Sequence, residues 1–160
     1  MRRLLWVLTL AVGILAPSVA PGQPREFPGG ARLVTSTDKK NQPVCFVVTP
    51  MRGAQAVVQG PRLWFRTDPH LGAVIARNPQ PTARPDQGDD IELAPVEARL
   101  ISMSRDAANP LIASLYAGRP VVLAWTDVKN ERHTARIDPG GFTAAHDAAV
   151  KECGWAVTVR

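Results

Sequence analysis

Short apolar runs alternate with polar or Pro/Gly-containing breaks along the chain, which is the pattern of a β-rich protein. Residues 44–48 form a continuous apolar run, and residues 120–126 form a second and stronger one. Such runs indicate strands that are buried on both faces or nearly so. Weaker strand signals occur at 33–35, 54–58, 63–65, 73–76, 96–100 and 132–138. Residues 78–90 hold three prolines and one glycine and are predicted to be a loop.

Two helices are predicted among these strands. Asn109 is expected to cap a short mid-chain helix with Pro110 at its first position, and Gly118 is expected to end it. Residues 142–152 form the second predicted helix. The buried faces are predicted to carry Leu111, Ile112 and Leu115 in the first helix and Phe142, Ala145, Ala149 and Cys153 in the second. The predicted fold class is all-β: a β-sandwich with one short mid-chain helix and a C-terminal helix.

The first 22 residues have the layout of a secretory signal peptide. Arg2 and Arg3 precede an apolar run of about a dozen residues, and small residues follow it. This run is shorter than the roughly 20 residues of a membrane-spanning helix. Residues 1–22 are therefore predicted to be removed on export to the periplasm or the medium, leaving a start near Gln23 and no stable membrane span. An uncleaved anchor is the alternative.

The rest of the chain is predicted to be one domain. Residues 23–43 are a Pro/Gly-rich lead, extended and mobile at first, that ends in a weak strand, and residues 44–160 form a single β-sandwich domain. A length of 160 residues suits one domain. Proline and glycine supply 27 of these residues. That surplus argues against a helical bundle, because both residues destabilise helix interiors.

The formal charge of +5 gives no argument for nucleic-acid binding. Arg2 and Arg3 belong to the predicted signal peptide, so 19 basic residues fall to 17 against 14 acidic ones, a charge of +3. The remaining basic residues are scattered, and Lys39 and Lys40 are the only adjacent pair among them. A nucleic-acid interface needs a basic stripe with interleaved aromatic residues. No nucleic-acid partner is predicted.

The two cysteines are predicted to form a disulfide. Cys45 and Cys153 are an even number of thiols in a chain with an export signal, and an oxidising compartment favours their pairing. Two free buried thiols are the alternative. Their spacing does not suit a zinc or redox site.

Three histidines are candidates for acid–base chemistry. His70 follows a turn and is expected to be exposed, His133 lies on the inward side of its strand, and His146 precedes Asp147 on the C-terminal helix. No pair of histidines has metal-ligand spacing. An enzyme would need the fold to bring one of them within about 3–4 Å of a carboxylate in a cleft.

Serines and carboxylates give no stronger catalytic signal. Ser102 and Ser104 lie on a predicted strand without the GxSxG motif of a nucleophile elbow. The carboxylates of one acidic segment are typical turn residues, namely Asp86, Asp89, Asp90 and Glu92. The sequence predicts no catalytic residue, no metal and no cofactor.

Three tryptophans remain after the predicted signal peptide. Trp64 and Trp125 lie within predicted strands and are expected to be structural, with a ligand-pocket role as the alternative. Trp155 is expected to pack over the disulfide, with a ligand-stacking platform as its alternative.

Four motifs occur in a characteristic order. They are CFVVTP at 45–50, LWFRTDP at 63–69, LYAGRPVVL at 115–123 and GGFTAA at 140–145, with Cys153 beyond the last. In this order they resemble the invasion-associated locus B family. That family usually carries an aromatic Gly-Tyr-Pro-Phe-like stretch in the middle, and the Pro-rich segment 78–90 stands in its place here.

The resemblance implies an exported, immunoglobulin-like β-sandwich of bacterial envelopes, associated in some pathogens with entry into host cells. It implies no known reaction and no catalytic residues. The sequence thus predicts a non-enzymatic protein that contacts an envelope or host surface protein through exposed strand edges or the segment 78–90. The alternatives are a periplasmic module that binds a small ligand and, less favoured, a periplasmic hydrolase.

Overall fold

A computed structural model describes residues 23–68 and 74–156, which fold into two antiparallel sheets and two helices. In chain order the elements are β1 (Arg25–Glu26), β2 (Arg32–Thr37), β3 (Pro43–Met51), β4 (Ala54–Gln59), β5 (Arg62–Thr67), β6 (Thr82–Pro85), β7 (Ile91–Glu92), β8 (Ala94–Glu97), β9 (Leu100–Ser102), α1 (Arg105–Tyr116), β10 (Val121–Thr126), β11 (Arg132–Ile137) and α2 (Phe142–Cys153). The predicted signal peptide, residues 1–22, lies outside the described residues. Within them, neither helix is long and apolar enough to cross a membrane.

The larger sheet is a meander extended at one side. Its strand order is β1-β2-β3-β4-β5-β9-β8, so five strands that follow one another in the chain are also neighbours in the sheet. Short turns make this possible. Asp38 accepts hydrogen bonds from the backbone N–H groups of Lys40 and Gln42 between β2 and β3. Gly53 and Gly60 adopt positive φ angles in the next two turns.

The smaller sheet has the order β11-β10-β6-β7 and corrects one prediction. Residues 78–90 are not a continuous loop, because β6 lies inside them and pairs antiparallel with β10. Ala83 of β6 is fully buried and lies opposite Leu123. A strand of four residues with one buried apolar side chain has almost no signal of its own. Its pairing with β10 stabilises it.

The core lies between the inner face of the larger sheet, the smaller sheet and the two helices. Helix α2 packs on β2 and β3, α1 packs on β5 and β6, and β11 contacts β3 and β4. The largest side chains buried in this core are Phe65, Phe142, Leu33, Leu63, Leu93, Ile101, Leu111, Leu115, Leu123 and Ile137. They come from both sheets and both helices, so the described residues share one core.

Helix α1 exists as predicted but begins earlier. Ser104, not Asn109, is its N-cap, and the Ser104 side chain accepts a hydrogen bond from the backbone N–H of Ala107. Pro110 therefore lies inside the helix rather than at its first position. Both Asn109 and Pro110 are exposed, which leaves the buried face to the predicted Leu111, Ile112 and Leu115.

The structure confirms the predicted C-terminal helix, α2, and the predicted disulfide. Cys45 and Cys153 are joined by a disulfide across a separation of 108 residues. Phe142, Ala145 and Ala149 are fully buried on the same helix face. The helix starts after Gly141, whose φ of 73° and close approach to Pro28 both suit glycine alone.

The segment 91–102 departs from the prediction of one half-buried strand at 96–100. It forms β7 and then the β8–β9 hairpin, which has an irregular register between Pro95 and Glu97. Val96 is consequently 57% exposed. Of the predicted strand at 73–76, the described part makes an isolated bridge from Ile75 to Asp127.

The lead segment is integrated into the domain. β1 and β2 extend the larger sheet, and β2 contains the predicted strand 33–35. The backbone N–H of Phe27 donates to the carbonyl of Ala31 and closes the turn between these strands. A Cβ added at Gly29 would clash with the backbone of Gly140, and a Cβ added at Gly140 would be in tight contact with the backbone of Gly29. Residues 25–37 therefore pack against the start of α2.

The disulfide is expected to make a large contribution to stability. The double substitution Cys45→Ala and Cys153→Ala should lower the free energy of unfolding by about 2–5 kcal/mol, because it releases a closed loop of more than 100 residues in the unfolded chain. Urea unfolding of the full chain measures this. Wild-type protein kept in reducing agent should show the same loss, and an unchanged unfolding midpoint would contradict the prediction.

Gly141 and Gly118 form a matched pair for testing the contact between the lead and α2. Their φ angles are 73° and 72°, but an added Cβ meets the carbonyl oxygen of Pro28 at Gly141 and nothing within 4 Å at Gly118. Gly118→Ala should cost about 1–2 kcal/mol for the left-handed backbone alone. Gly141→Ala should cost clearly more. Equal thermal midpoints for the two variants would show that the close approach does not constrain the fold.

Candidate functional site

The outward face of the larger sheet carries apolar side chains where polar ones are usual. Strands β2 to β5 alternate, and their inward residues, such as Leu33, Val47 and Phe65, are buried against the core. The residues of opposite parity point away from the core. An antiparallel sheet with one solvated face normally places polar residues there. Here the outward set includes the half-buried apolar residues Val34, Phe46, Val48, Val57, Trp64 and Leu100, which we call the outer apolar face.

Strand register brings these residues together. Val34 lies opposite Phe46, and Val57 lies between Val48 and Trp64 on the two neighbouring strands. Cross-strand neighbours on one face are close enough for direct side-chain contact. Phe46, Val57, Trp64 and Leu100 line an open groove of about 310 Å³. The outer apolar face is thus one continuous patch across five strands.

Glutamine and arginine side chains border this patch. Gln55, Gln59 and Arg66 line the groove, and Arg62 lies opposite Gln59. Strands β2 to β5 contain three arginines and no aspartate, glutamate or lysine. Arg62 and Arg66 are exposed, and within the described residues neither forms an ion pair.

Carboxylates occur only at the two margins of this face. Glu26 of β1 lies opposite Arg32, and Glu97 of β8 lies opposite Leu100. Glu26 can therefore balance Arg32. Glu97 lines one concavity with Arg66 but forms no ion pair with it, so the charges of Arg62 and Arg66 exceed the acidic charge at this side of the face. Apolar patches that stay partly exposed and are bordered by polar residues are frequent at interaction surfaces.

The two strand tryptophans have different environments. Trp125 is 4% exposed and structural, as predicted. The predicted structural role of Trp64 stays a prediction, and its side chain is half-buried on the outward face of β5. The reason is parity, since Leu63 and Phe65 take the inward positions of β5.

A second concavity lies beside Trp125. It measures about 270 Å³, and Trp125, Thr82, Asp90 and Arg132 contribute to its lining. The indole Nε1 of Trp125 is buried and has no hydrogen-bond partner within the described residues. The charged groups in the lining are one cation, Arg132, and one carboxylate, Asp90.

One predicted histidine lies next to a carboxylate. His133 Nε2 is 3.1 Å from Asp127 Oδ2, and the His133 ring stacks on Trp125 with centroids 5.3 Å apart. Asp127 is 5% exposed, and its Oδ1 accepts hydrogen bonds from the backbone N–H groups of Lys129 and Glu131. These contacts, led by that from Glu131, hold the pKa of Asp127 below its usual value. The carboxylate thereby fixes the turn between β10 and β11.

The same turn brings together a group that sequence reasoning missed. Ligand atoms of Asp127, Glu131 and His133 lie within 4.8 Å of one another, so these residues could hold a metal ion. Both Asp127 oxygens are already engaged in the turn and with His133. Pairing Trp125 with His133 across the predicted hairpin would have revealed the arrangement, but the sequence alone gave no register.

The Asp127–His133 pair meets the distance that a hydrolase would require, but not the rest of a catalytic triad. A nucleophilic mechanism needs a hydroxyl or thiol in hydrogen-bond reach of the histidine. Across residues 23–68 and 74–156, no such group hydrogen-bonds to His133. What the contacts of this pair do show is how the β10–β11 hairpin is held together.

His146 is enclosed by aromatic rings. Tyr116, Phe142 and Trp155 lie with ring centroids 5.3, 5.9 and 5.4 Å from it. Its Nδ1 is buried without a partner in the described chain, and burial lowers its pKa although the charge of Asp147 acts in the opposite direction. This histidine is a neutral core residue. The packing of Trp155 over the disulfide stays a prediction, whereas its edge contact with His146 is seen.

Tyr116 closes this cluster on the solvent side. Its hydroxyl donates to Asp147 Oδ1 at 2.8 Å, and that hydrogen bond raises the pKa of Tyr116. The hydroxyl of Thr143 donates to the backbone carbonyl of Tyr116 at 2.9 Å. These contacts join the end of α1 to α2.

The other sequence candidates do not converge. His70 lies outside the described residues. Ser102 lies on β9, while Ser104 caps α1 instead of continuing the strand. The four carboxylates of the predicted acidic segment are exposed, namely Asp86, Asp89, Asp90 and Glu92. Among the described residues, their one ion contact joins Asp90 to Arg84 at 4.0 Å.

Comparison with known proteins gave no match: no protein-family model, no curated protein and no solved structure is significantly similar to this chain.

Burial of neutral His146 predicts a loss of stability in mild acid. Because its pKa is lower in the folded than in the unfolded protein, the unfolded chain takes up more protons as pH falls below the unfolded value near 6.5. Stability should therefore fall between pH 7.5 and 5.5, a range in which ordinary carboxylates do not titrate. His146→Leu should flatten this dependence in urea unfolding.

Asp147→Asn is the matched variant for this test. It keeps an oxygen that accepts from Tyr116 but removes the charge that favours protonated His146. The acid-induced loss should become larger than in the wild type. Parallel pH curves for the wild type and His146→Leu would contradict the prediction.

Proposed function

We propose that this protein is exported and acts without catalysis, by binding a partner protein of the envelope or of a host surface through its outer apolar face. The observation that carries the proposal is that face: six apolar residues, including Phe46 and Trp64, left on the solvent side of a sheet whose other side is fully packed. Aromatic residues within such patches are frequent binding hot spots.

Two further features support export. The pattern of residues 1–22 is that of a signal peptide. The disulfide between Cys45 and Cys153 is of the kind that forms and persists in oxidising compartments. A periplasmic or secreted location accounts for both.

The resemblance to the invasion-associated locus B family suggests the biological setting. The motif at 45–50 lies on β3, and the motif at 140–145 spans the start of α2, so the disulfide links these two motif regions. Membership would make host-cell entry the process served. An immunoglobulin-like topology is not part of this proposal, because immunoglobulin domains interleave their strands between two sheets, whereas β1 to β5 are sequential neighbours in one sheet here.

The alternative functions have weaker support. A small-ligand module would use the pocket of about 270 Å³ beside Trp125, which is smaller than the usual ligand pocket and carries the charged residues Asp90 and Arg132 in its lining. A hydrolase would use Asp127 and His133, which hold the hairpin and lack a nucleophile in the described chain. Neither matches the extent of the outer apolar face.

In intact cells, the outer face should crosslink to its partner. A photo-crosslinking amino acid at Gln59, which lines the groove, should give protein adducts, because the partner would cover this position. The same amino acid at Val128, 65% exposed on the turn of the smaller sheet, should give none. Trp64→Ala should reduce the adduct yield at Gln59 at least about fivefold, as expected for a binding hot spot.

Export and folding are checked in the same cells. Fractionation and N-terminal sequencing should find the chain outside the cytoplasm with a start near Gln23, and Trp64→Ala should keep its thermal midpoint within a few degrees. The proposal fails if Gln59 gives no adducts and deletion of the gene leaves envelope and host-entry phenotypes unchanged.

A further inference from the structure

We infer that the partner of the outer apolar face is an acidic polypeptide segment, with apolar side chains that enter the groove and carboxylates that meet Arg62 and Arg66. The inference rests on the proposed function, since it names the chemistry of the partner at the same site. It depends on three features of the face: its unbalanced charge, its aliphatic composition and its length.

Charge selects an acidic partner. Arg62 and Arg66 flank Trp64 on β5, are exposed, and form no ion pair within the part of the chain that the structure describes. Guanidinium groups bind carboxylates through paired hydrogen bonds. Charges that border an interface mainly raise the association rate and exclude partners of like charge.

The same charge argues against occupants from this chain. A second copy would place arginines against arginines in a symmetric contact, because a two-fold interface pairs a patch with itself. The N-terminal segment 1–22 is apolar enough to fill the groove, but its charged side chains are Arg2 and Arg3. Residues 157–160 carry no carboxylate side chain. We therefore place the acidic segment on another protein.

Composition selects a polypeptide over an acidic polysaccharide. Sugar rings stack on aromatic faces, and the outer apolar face offers two aromatic residues, Phe46 and Trp64. The other members are aliphatic, and Val48 and Val57 lie side by side at the centre of the patch. Aliphatic surface gains most by removing other apolar groups from water. Leucine-like or aromatic side chains fit this surface better than hydroxyl-rich rings.

The extent of the face sets the length of the segment. The patch crosses the sheet from Val34 on β2 to Leu100 on β9, which is four strand spacings or about 19 Å. A helix of three to four turns covers this distance. Three to four turns contain about 11–14 residues, so an amphipathic helix of about 16 residues, apolar on one side and acidic along its border, spans the patch with a short margin at its ends and complements its charge.

Two synthetic peptides test the inference directly. Both are fluorescent 16-residue helices with the same leucine and phenylalanine face, and the bordering positions are glutamate in one and lysine in the other. Their binding to protein exported from the full chain, with its disulfide intact, is measured by fluorescence anisotropy at low and high salt. We expect the glutamate peptide to bind about tenfold or more tightly than the lysine peptide, with the difference shrinking at high salt.

Two charge-matched variants identify the arginines. Arg62→Gln with Arg66→Gln should remove most of the preference for the glutamate peptide while leaving the apolar contribution. Arg105→Gln with Arg136→Gln changes the net charge equally at exposed positions on α1 and β11 and should leave the preference intact. Trp64→Ala should weaken both peptides.

Four results would overturn the inference. They are equal binding of the two peptides, no binding of the glutamate peptide at millimolar concentration, tighter binding of an anionic oligosaccharide such as a hyaluronate fragment, and a wild-type dimer in light scattering that Trp64→Ala dissociates. Crosslinking at Gln59 in cells separates this inference from the proposed function. If adducts persist while the glutamate preference is absent, the surface function stands and the acidic partner is wrong.

Discussion

The covalent link between Cys45 and Cys153 joins the middle of the larger sheet to the last helix. It holds α2 over β2 and β3, and Phe142, Ala145 and Ala149 fill the space beneath the helix. The position of α2 on one side of the larger sheet in turn places the elements that contact it. The lead turn docks on the start of α2, and α1 meets α2 through Tyr116 and Asp147. One linkage thus decides which residues of the sheet become core.

Covering one side of the sheet leaves the other side exposed. Because side chains alternate along a strand, Leu33, Val47 and Phe65 face α2 and the smaller sheet, while Phe46 and Trp64 must face away. Polar residues at the outward positions of β2 to β5 would have made this side of the sheet an ordinary solvated surface. Apolar residues on both parities instead leave hydrophobic surface in water, a cost that the proposed partner would offset.

Sequence reasoning succeeded where a strong local pattern and the final burial agree. The apolar run at 44–48 and the helical spacing from Phe142 to Cys153 both record direct contact with the core, so β3, α2 and their disulfide followed from them. It failed where pairing partners supply the stability. Strand β6 forms because it pairs with β10, and the β10–β11 turn brings Asp127 next to His133. The same apolar run at 44–48 also concealed the site, since continuous apolarity was taken as burial on both faces.

The two polar clusters and the outer apolar face differ in how many of their polar groups already have partners. Asp127 accepts hydrogen bonds from two backbone N–H groups and lies against His133. His146 is surrounded by three aromatic rings. The titratable groups of both clusters are therefore hydrogen-bonded or buried within the fold. A catalytic group needs a free lone pair or proton directed at a substrate. Arg62 and Arg66 have the opposite character: they are exposed, unpaired within the described residues and adjacent to apolar surface. Charged and apolar groups without a partner in the described residues therefore lie together on the outer apolar face, which is the surface that the proposed function assigns to binding.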